Sequence, residues 1–515
     1  VNTSHSDGGD VATQPEFVLP RTSEAPGEIA VRTERESLSW SELEERGRRV
    51  AQGLRSEGLG EHDAWAILAR NRIEWAELTL GNARAGTRYV PLNYHLTAVE
   101  MADLMTDSSS KLVVVGSDDE AIGREAAAAA GIDRVFVLGP DYESWLAAQS
   151  ADPLPDCSAG AALQYTGGTT GRSKGVIRSG ATVPASELAR PFAQWGTMTH
   201  MPAGAQMLLV TPAYHALGGA VVMASMSRGN PLFIAERWDP IRTLELIQEH
   251  RVAGVPMVPT QFIRLLKLDP EVRNRYDLSS LEWVLHTAAP CPAWAKHAMI
   301  EWFGPVIVEL YGSSEGVGPV IATSEEWLAR PGTVGKATAV LELSILDDDG
   351  NELPPGEIGT IHAKRIDGTP SYHGDPEKSA AMMRPDGRFT VGDVGWLDEE
   401  GYLFLADRRV DLILIGGSNV YPAEIEAVLT QHPDVTDAAV FGLPHPDMGQ
   451  EVKAVVQPAE GVELDVAALA EFARARLAPF KVPASIDVDP ALPREASGKL
   501  KKHQLRERYL EQVGR

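Results

Sequence analysis

Apolar positions along this chain fall into short continuous runs and into faces at helical spacing, and the two kinds alternate. Ala64 to Leu68, Arg88 to Leu92, Leu112 to Val115 and Val135 to Leu138 read as strands with little polar interruption. Glu74 to Ala85, Ala98 to Met105 and the alanine-rich Glu120 to Ala130 read as the helices between them. Strands apolar on both faces and separated by helices predict parallel sheets covered on both sides. A helix is also expected from Ser39, with Leu43, Val50 and Leu54 on one face, Ser41 and Glu44 as its capping box, and Gly58 and Gly60 as its stop. The alternation resumes with strands Met207 to Val210 and Pro231 to Ile234, the helix Thr243 to His250, and short strands at Val284-Leu285 and Val306 to Val308.

From Thr333 to Ala363 the pattern changes to short alternating runs, Leu341 to Leu346 and Ile358 to His362, broken by Asp-Gly and Pro-Pro-Gly turns. This predicts a small antiparallel β unit. Strand Tyr402 to Leu405 follows a turn at Asp398 to Gly401. Beyond about Arg408, strands Asp411 to Ile415, Ala438 to Phe441 and Val452 to Val456, a helix entered through Pro422, and a second around Leu469 to Leu477 read as a separate domain. The expected fold class is α/β. A large N-terminal domain of stacked mixed and parallel sheets with helices and a small β unit spans 21–407, after a flexible tail over 1–20; a small α+β C-terminal domain spans 408–515. A chain of 515 residues is too long for one core, which agrees with this division.

Composition narrows the function. No apolar run is long enough to cross a bilayer, and Val1 to Phe17 is polar without a basic-then-apolar leader pattern, so no membrane span and a cytoplasmic protein are expected. The two cysteines, Cys157 and Cys291, are far apart, which fits a reducing compartment and argues against a disulfide scaffold or a zinc site. A net charge of −25 repels nucleic acid and anionic membrane. A phosphate-bearing ligand must therefore meet a local concentration of positive charge. One such concentration lies between Arg494 and Arg508, with Lys499, Lys501, Lys502 and Arg506.

A second is Gln164-Tyr165-Thr166-Gly167-Gly168-Thr169-Thr170-Gly171-Arg172-Ser173-Lys174-Gly175. Its glycines let the backbone approach a ligand, its consecutive N–H groups suit an anion nest, and its threonines, Arg172 and Lys174 add donors and charge. It departs from the P-loop because Gly175, not a hydroxyl residue, follows Lys174. Taken alone, the stretch also suits a flexible Gly/Thr-rich surface loop.

Further segments follow in order: Tyr311-Gly312-Ser313-Ser314-Glu315, Gly392-Asp393, Asp407-Arg408 with Asp411, and Pro493-Arg494-Glu495-Ala496-Ser497-Gly498-Lys499. Together with the loop they resemble the adenylate-forming superfamily of acyl-CoA ligases, luciferases and peptide-synthetase adenylation domains. His286-Thr287-Ala288-Ala289-Pro290-Cys291-Pro292 and Pro331-Gly332-Thr333-Val334-Gly335 resemble its acyl-CoA ligase branch, and the resemblance covers nearly all of the chain after about residue 25.

The resemblance implies a two-step ligase: ATP and a carboxylic acid give an acyl-adenylate and pyrophosphate, and a thiol, usually that of coenzyme A, then displaces AMP. ATP, Mg²⁺ and coenzyme A are the implied cofactors, and the partners are a small carboxylic acid and CoA, or a carrier protein in its place, with the enzyme a monomer or homodimer. By motif match, Thr166, Thr169, Thr170 and Lys174 hold the β- and γ-phosphates, with Gly167 and Gly168 in the same cofactor-binding loop. Glu315 reaches Mg²⁺; Gly312, Ser313 and Ser314 belong to the nucleotide-binding set, and Ser314, standing where relatives more often have threonine, keeps the hydroxyl that can face the α-phosphate. Tyr311 flanks the adenine, Asp393 accepts from the ribose hydroxyls, and Arg408 donates to sugar or phosphate. Lys499 bridges carboxylate and α-phosphate oxygens.

The C-terminal domain is implied to be a mobile lid, with a hinge near 408–411 at Val410, where many relatives carry Asp or Lys. Gly416 and Gly417 then line the pantetheine channel. Tyr214, His215, Gly218, Gly219, Ala288, Ala289, Gly312 and Gly318 are the implied acid-pocket positions, His215 as a pocket ring and not a base. So many small residues leave volume, which predicts a bulky apolar acid. Serving only one half-reaction, loading a carrier protein, or binding ligand without catalysis are the alternatives the sequence leaves open.

Overall fold

A computed structural model describes residues 17–166, 174–179, 183–408, 411, 413–415, 418–445, 448–494 and 500–513. The helix Trp40–Ser56 shows how local chemistry sets its start. Ser39, in extended backbone at φ −73° and ψ 168°, accepts the Glu42 amide on its hydroxyl, and the Glu42 carboxylate accepts the Ser39 amide at 2.8 Å. The capping box is therefore Ser39/Glu42, two residues before the expected Ser41/Glu44. Glu44 instead turns into the core, where it is 3% exposed, pairs with Arg84, and accepts the Leu19 amide at 3.1 Å. Leu43, Val50 and Leu54 face inward as their spacing predicts, each burial being worth about 1.5–3 kcal/mol. Leu19 is itself packed in this core.

The alternating stretch builds a parallel five-stranded sheet ordered Val135–Val137, Val113–Val115, Ala64–Leu68, Arg88–Leu92, Ala161–Ala162. A larger sheet has thirteen strands among the described residues. Its parallel part runs Ile29–Arg32, Leu232–Ile234, Met207–Leu209, Gly254–Met257, Trp283–His286, Ile307–Tyr311, with Ser37–Ser39 antiparallel at the edge. At Ile307–Tyr311 the direction changes. Val320–Thr323, Thr333–Ala337, Tyr402–Arg408, Asp393–Leu397, Gly359–Arg365 and Leu341–Leu346 continue the sheet antiparallel. The runs expected as a small β unit thus extend the large sheet, because Thr360 registers with Val394 across Gly359–Arg365 and Asp393–Leu397. Alternation signals a half-buried antiparallel strand but not the edge it joins.

Tyr402–Arg408 is the last described strand of this sheet in chain order, and Ile413–Ile415 belongs to another. That second sheet joins Ser418–Val420, Ile413–Ile415, Gly449–Pro458, Val435–His445 and Ser485–Val488. The helix Pro422–Leu429 starts with proline in its first turn, as expected, and Val466–Arg474 is capped by Asp465. Lys267 of the N-terminal part donates to the Val435 carbonyl of the C-terminal sheet. No helix among the described residues is long and apolar enough to cross a membrane.

Candidate active site

Gln164–Thr166 and Lys174–Ser179 pair antiparallel with Thr166 opposite Lys174, so the two ends of the glycine-rich loop are clamped side by side. The intervening Gly167, Gly168, Thr169 and Thr170 lie outside the described residues, as do Val410, Gly416, Gly417 and Lys499. A third strand, Thr369–Tyr372, lies along Lys174–Ser179 with Tyr372 opposite Val176. The Lys174 ammonium sits 4.7 Å from the centroid of the Tyr372 ring. The Tyr372 hydroxyl donates to Glu315 Oε1 at 3.3 Å. Burial, and then the Glu315 charge, push the Tyr372 phenol up to about 12, so it stays a donor at neutral pH. Lys174 and Glu315, far apart in sequence, thus meet on one tyrosine.

Glu315 belongs to the turn that follows Ile307–Tyr311. Inside that turn the Ser313 amide donates to Val317 O at 2.7 Å and the Val317 amide to Ser313 Oγ at 3.3 Å. Arg365 holds it from outside, donating from Nη1 to Gly316 O at 3.1 Å and Gly318 O at 2.6 Å, while its Nε donates to Asp367 at 2.7 Å. Tyr311 donates its hydroxyl to Asp393 Oδ2 at 2.7 Å. Asp393 is 8% exposed and stands opposite Arg408 across the antiparallel pair. Tyr311, Asp393 and the Arg408 backbone are therefore neighbours. Groups of three or more His, Cys, Asp or Glu side chains that could hold a metal are absent among the described residues. A lone Glu315 carboxylate still fits Mg²⁺, which commonly takes one or two carboxylates and completes its shell with phosphate oxygens and water.

The expected acid-pocket residues follow the C-terminal ends of the parallel strands, where open α/β sheets bind ligands. Tyr214 is buried, edge-on to Tyr94 at 5.4 Å and 4.2 Å from the His215 ring. Gln164 Nε2 donates to Tyr214 O at 3.3 Å, joining the start of the glycine-rich loop to this wall. His215 precedes the helix Ala216–Ser227, and its buried Nε2 has no hydrogen-bond partner. Burial, with a contribution from His95, pushes its pKa down to about 4, so the ring is neutral. The pKa of His95 is lowered by burial, by Arg70 and by Lys501, which brings the charge of the C-terminal segment to the same neighbourhood.

The glycines carry less of the volume argument than their number implied. A Cβ on Gly218 would lie 2.2 Å from Pro212 O, and one on Gly318, at φ +112°, 2.6 Å from Tyr311 O. A Cβ on Gly312 would come within 3.1 Å of Val317 O, and one on Gly219 within 3.1 Å of the Tyr89 hydroxyl. Backbone packing thus requires at least Gly218 and Gly318. Ala288 is exposed, with φ +78°, and Ala289 is partly exposed.

His286 is fully buried beside Glu309, 3.7 Å from its Oε2, and Lys296 holds the same oxygen at 2.5 Å. Burial, then the Lys296 charge, keep its pKa well below the usual range, so it is neutral. Sequence reading missed Tyr372, Arg365 and Tyr94. Tyr372 and Arg365 close short strands in the antiparallel region, and no spacing pattern marks them; each becomes visible only through its partner.

A family description of AMP-binding enzymes matches residues 20–373, and that of the AMP-binding enzyme C-terminal domain matches 424–499. The chain is 33% identical to a feruloyl-CoA synthase of Amycolatopsis sp over 95% of its length and 97% of that protein's. It is likewise 33% identical to a 2-succinylbenzoate–CoA ligase of Geobacillus kaustophilus, covering 96% and 98%. Among solved structures, ATP-bound MatB from Rhodopseudomonas palustris superposes with a TM-score of 0.81 at 31% identity, covering 94% of this chain and 96% of that one. This chain belongs to the AMP-binding enzyme family, in the acyl-CoA ligase branch of the adenylate-forming superfamily.

Proposed function

We propose that this enzyme joins a bulky, largely apolar carboxylic acid to coenzyme A through an acyl-adenylate. The observation that carries the reading is the convergence of Lys174 and Glu315 on Tyr372, beside the Tyr311–Asp393 pair. A carboxylate is a poor electrophile and a triphosphate repels it, so adenylation needs cations and donors on one side and a held sugar on the other. Lys174, with the loop from Thr166 to Thr170, holds the β- and γ-phosphates. Asp393 takes the ribose hydroxyls, and Arg408, opposite it in the sheet, donates to the same sugar or to phosphate. Glu315 holds Mg²⁺, which when bound spreads the phosphate charge.

Lys499 bridges the attacking carboxylate and the α-phosphate. His215, neutral and turned inward, closes the acid side without taking a proton. For the second step the C-terminal domain, residues 408–515, rotates about Val410 and withdraws Lys499. Gly416 and Gly417, lacking Cβ, then admit the pantetheine arm.

The size of the acid is supported by relatives named feruloyl-CoA synthase and 2-succinylbenzoate–CoA ligase. A panel of carboxylic acids, scored for AMP and for CoA-thioester release, tests the whole reading. Large apolar or aromatic acids are expected to turn over well ahead of acetate. Preference for acetate would remove the substrate class, and adenylate formed without thioester would redirect the acceptor toward a carrier protein.

A further inference from the structure

Tyr372, on which Lys174 and Glu315 converge, has been given no role of its own, although its hydroxyl donates to Glu315. We propose that Tyr372 is a positioning residue that fixes how Glu315 offers its carboxylate to the nucleotide-bound Mg²⁺, while its ring separately steadies the Lys174 ammonium. The inference rests on the adenylation reading for its purpose, but not for its test.

The backbone of Tyr372 is fixed on both sides. Its amide donates to Ser379 Oγ at 2.9 Å, and the amide of the next residue, His373, donates to Gly175 O at 2.7 Å. Through the Tyr372/Val176 register it moves with the strand that leaves the glycine-rich loop. Its ring packs against the cluster that contains Val317, in the turn carrying Glu315. One side chain therefore spans the phosphate-holding hairpin and the metal-holding turn.

A glutamate carboxyl turns easily about its last bond, whose torsional profile is broad and two-fold. A hydroxyl donating to Oε1 at 3.3 Å limits that rotation and so sets how the carboxylate faces. Hydrogen bonds to metal-ligating groups orient them, and losing one typically weakens metal binding about 10–100-fold. The ring contact with Lys174 at 4.7 Å is a cation–π contact that needs the aromatic face and not the hydroxyl. The two duties can therefore be removed one at a time.

Calorimetric titration of ATP into the full chain, with and without Mg²⁺ and with no carboxylic acid present, tests this. Tyr372→Phe should weaken the Mg²⁺-dependent part of ATP binding about tenfold and leave metal-free ATP binding as in the wild type. Tyr372→Leu should weaken metal-free binding as well. In a Glu315→Gln background, Tyr372→Phe should have no further effect on Mg²⁺ dependence. An unchanged Mg²⁺ response in Tyr372→Phe, an equal loss with and without metal, or full additivity with Glu315→Gln would each overturn the assignment. A wild-type chain that binds Mg²⁺ and ATP but adenylates no acid would overturn the ligase reading and leave this one standing.

Discussion

Tyr311 shows how much one hydroxyl can decide. It donates at 2.7 Å to Asp393, a carboxylate with little other access to water. Hydrogen bonds to charged groups contribute about 1.5–3 kcal/mol. Tyr311→Phe should therefore raise the KM for ATP at least about tenfold, since tenfold corresponds to about 1.4 kcal/mol, with the KM for the acid little changed; steady-state kinetics against each substrate would show it. His215 yields a prediction about pH. Its folded pKa, about 4, lies below its ordinary value near 6.5. The unfolded chain thus binds the proton more readily, and the stability contributed by the neutral ring is complete above about 6.5 and lost as pH falls through about 4. Thermal unfolding of the wild type and of His215→Gln at pH 7 and pH 5 should show a smaller acid-induced drop in the variant. Equal drops would assign the acid sensitivity elsewhere.

At the scale of elements, Gly218 tests what the small residues are for. In the first turn of Ala216–Ser227 a Cβ there would overlap the Pro212 carbonyl, so Gly218→Ala should destabilise the protein by about 1–3 kcal/mol, as overpacking does. Chemical denaturation would detect this; a variant of wild-type stability that merely prefers smaller acids would restore the pocket-volume account. The strands show where sequence reading succeeds. Apolar runs at Ala64 to Leu68 and Val113 to Val115 disclosed buried parallel strands, because a strand covered on both faces leaves no polar register to hide it. Ser39 was the harder case. Ser39 and Ser41 both stand where the helix begins, and only backbone geometry, with the burial of Glu44 against Arg84, decides which one caps it. Tyr311, Asp393, Glu315 and Lys174 were legible as members of ordered motifs. Tyr372 and Arg365 were not, since what they do is bridge segments that are distant in the chain.

The proposed chemistry divides labour between two parts of the molecule. If Lys499 acts only while carboxylate and α-phosphate are being joined, Lys499→Ala should abolish pyrophosphate exchange and spare much of the thioester formation from a supplied acyl-adenylate. Equal loss of both half-reactions would refute the division. The large sheet holds a second division, at Ile307–Tyr311, where parallel strands give way to antiparallel ones. Segments proposed to meet the acid follow Met207–Leu209 and Trp283–His286 on one side; Asp393 and Arg408 lie on the other. Among the described residues given these proposed roles, the turn after Tyr311 is assigned to both. The acid-facing loops can therefore diverge among descendants of one ancestor while the nucleotide machinery is inherited unaltered. Transplanting residues 213–220 and 287–292 from a relative should transfer acid preference and keep the KM for ATP, making that one strand a natural seam for both evolution and engineering.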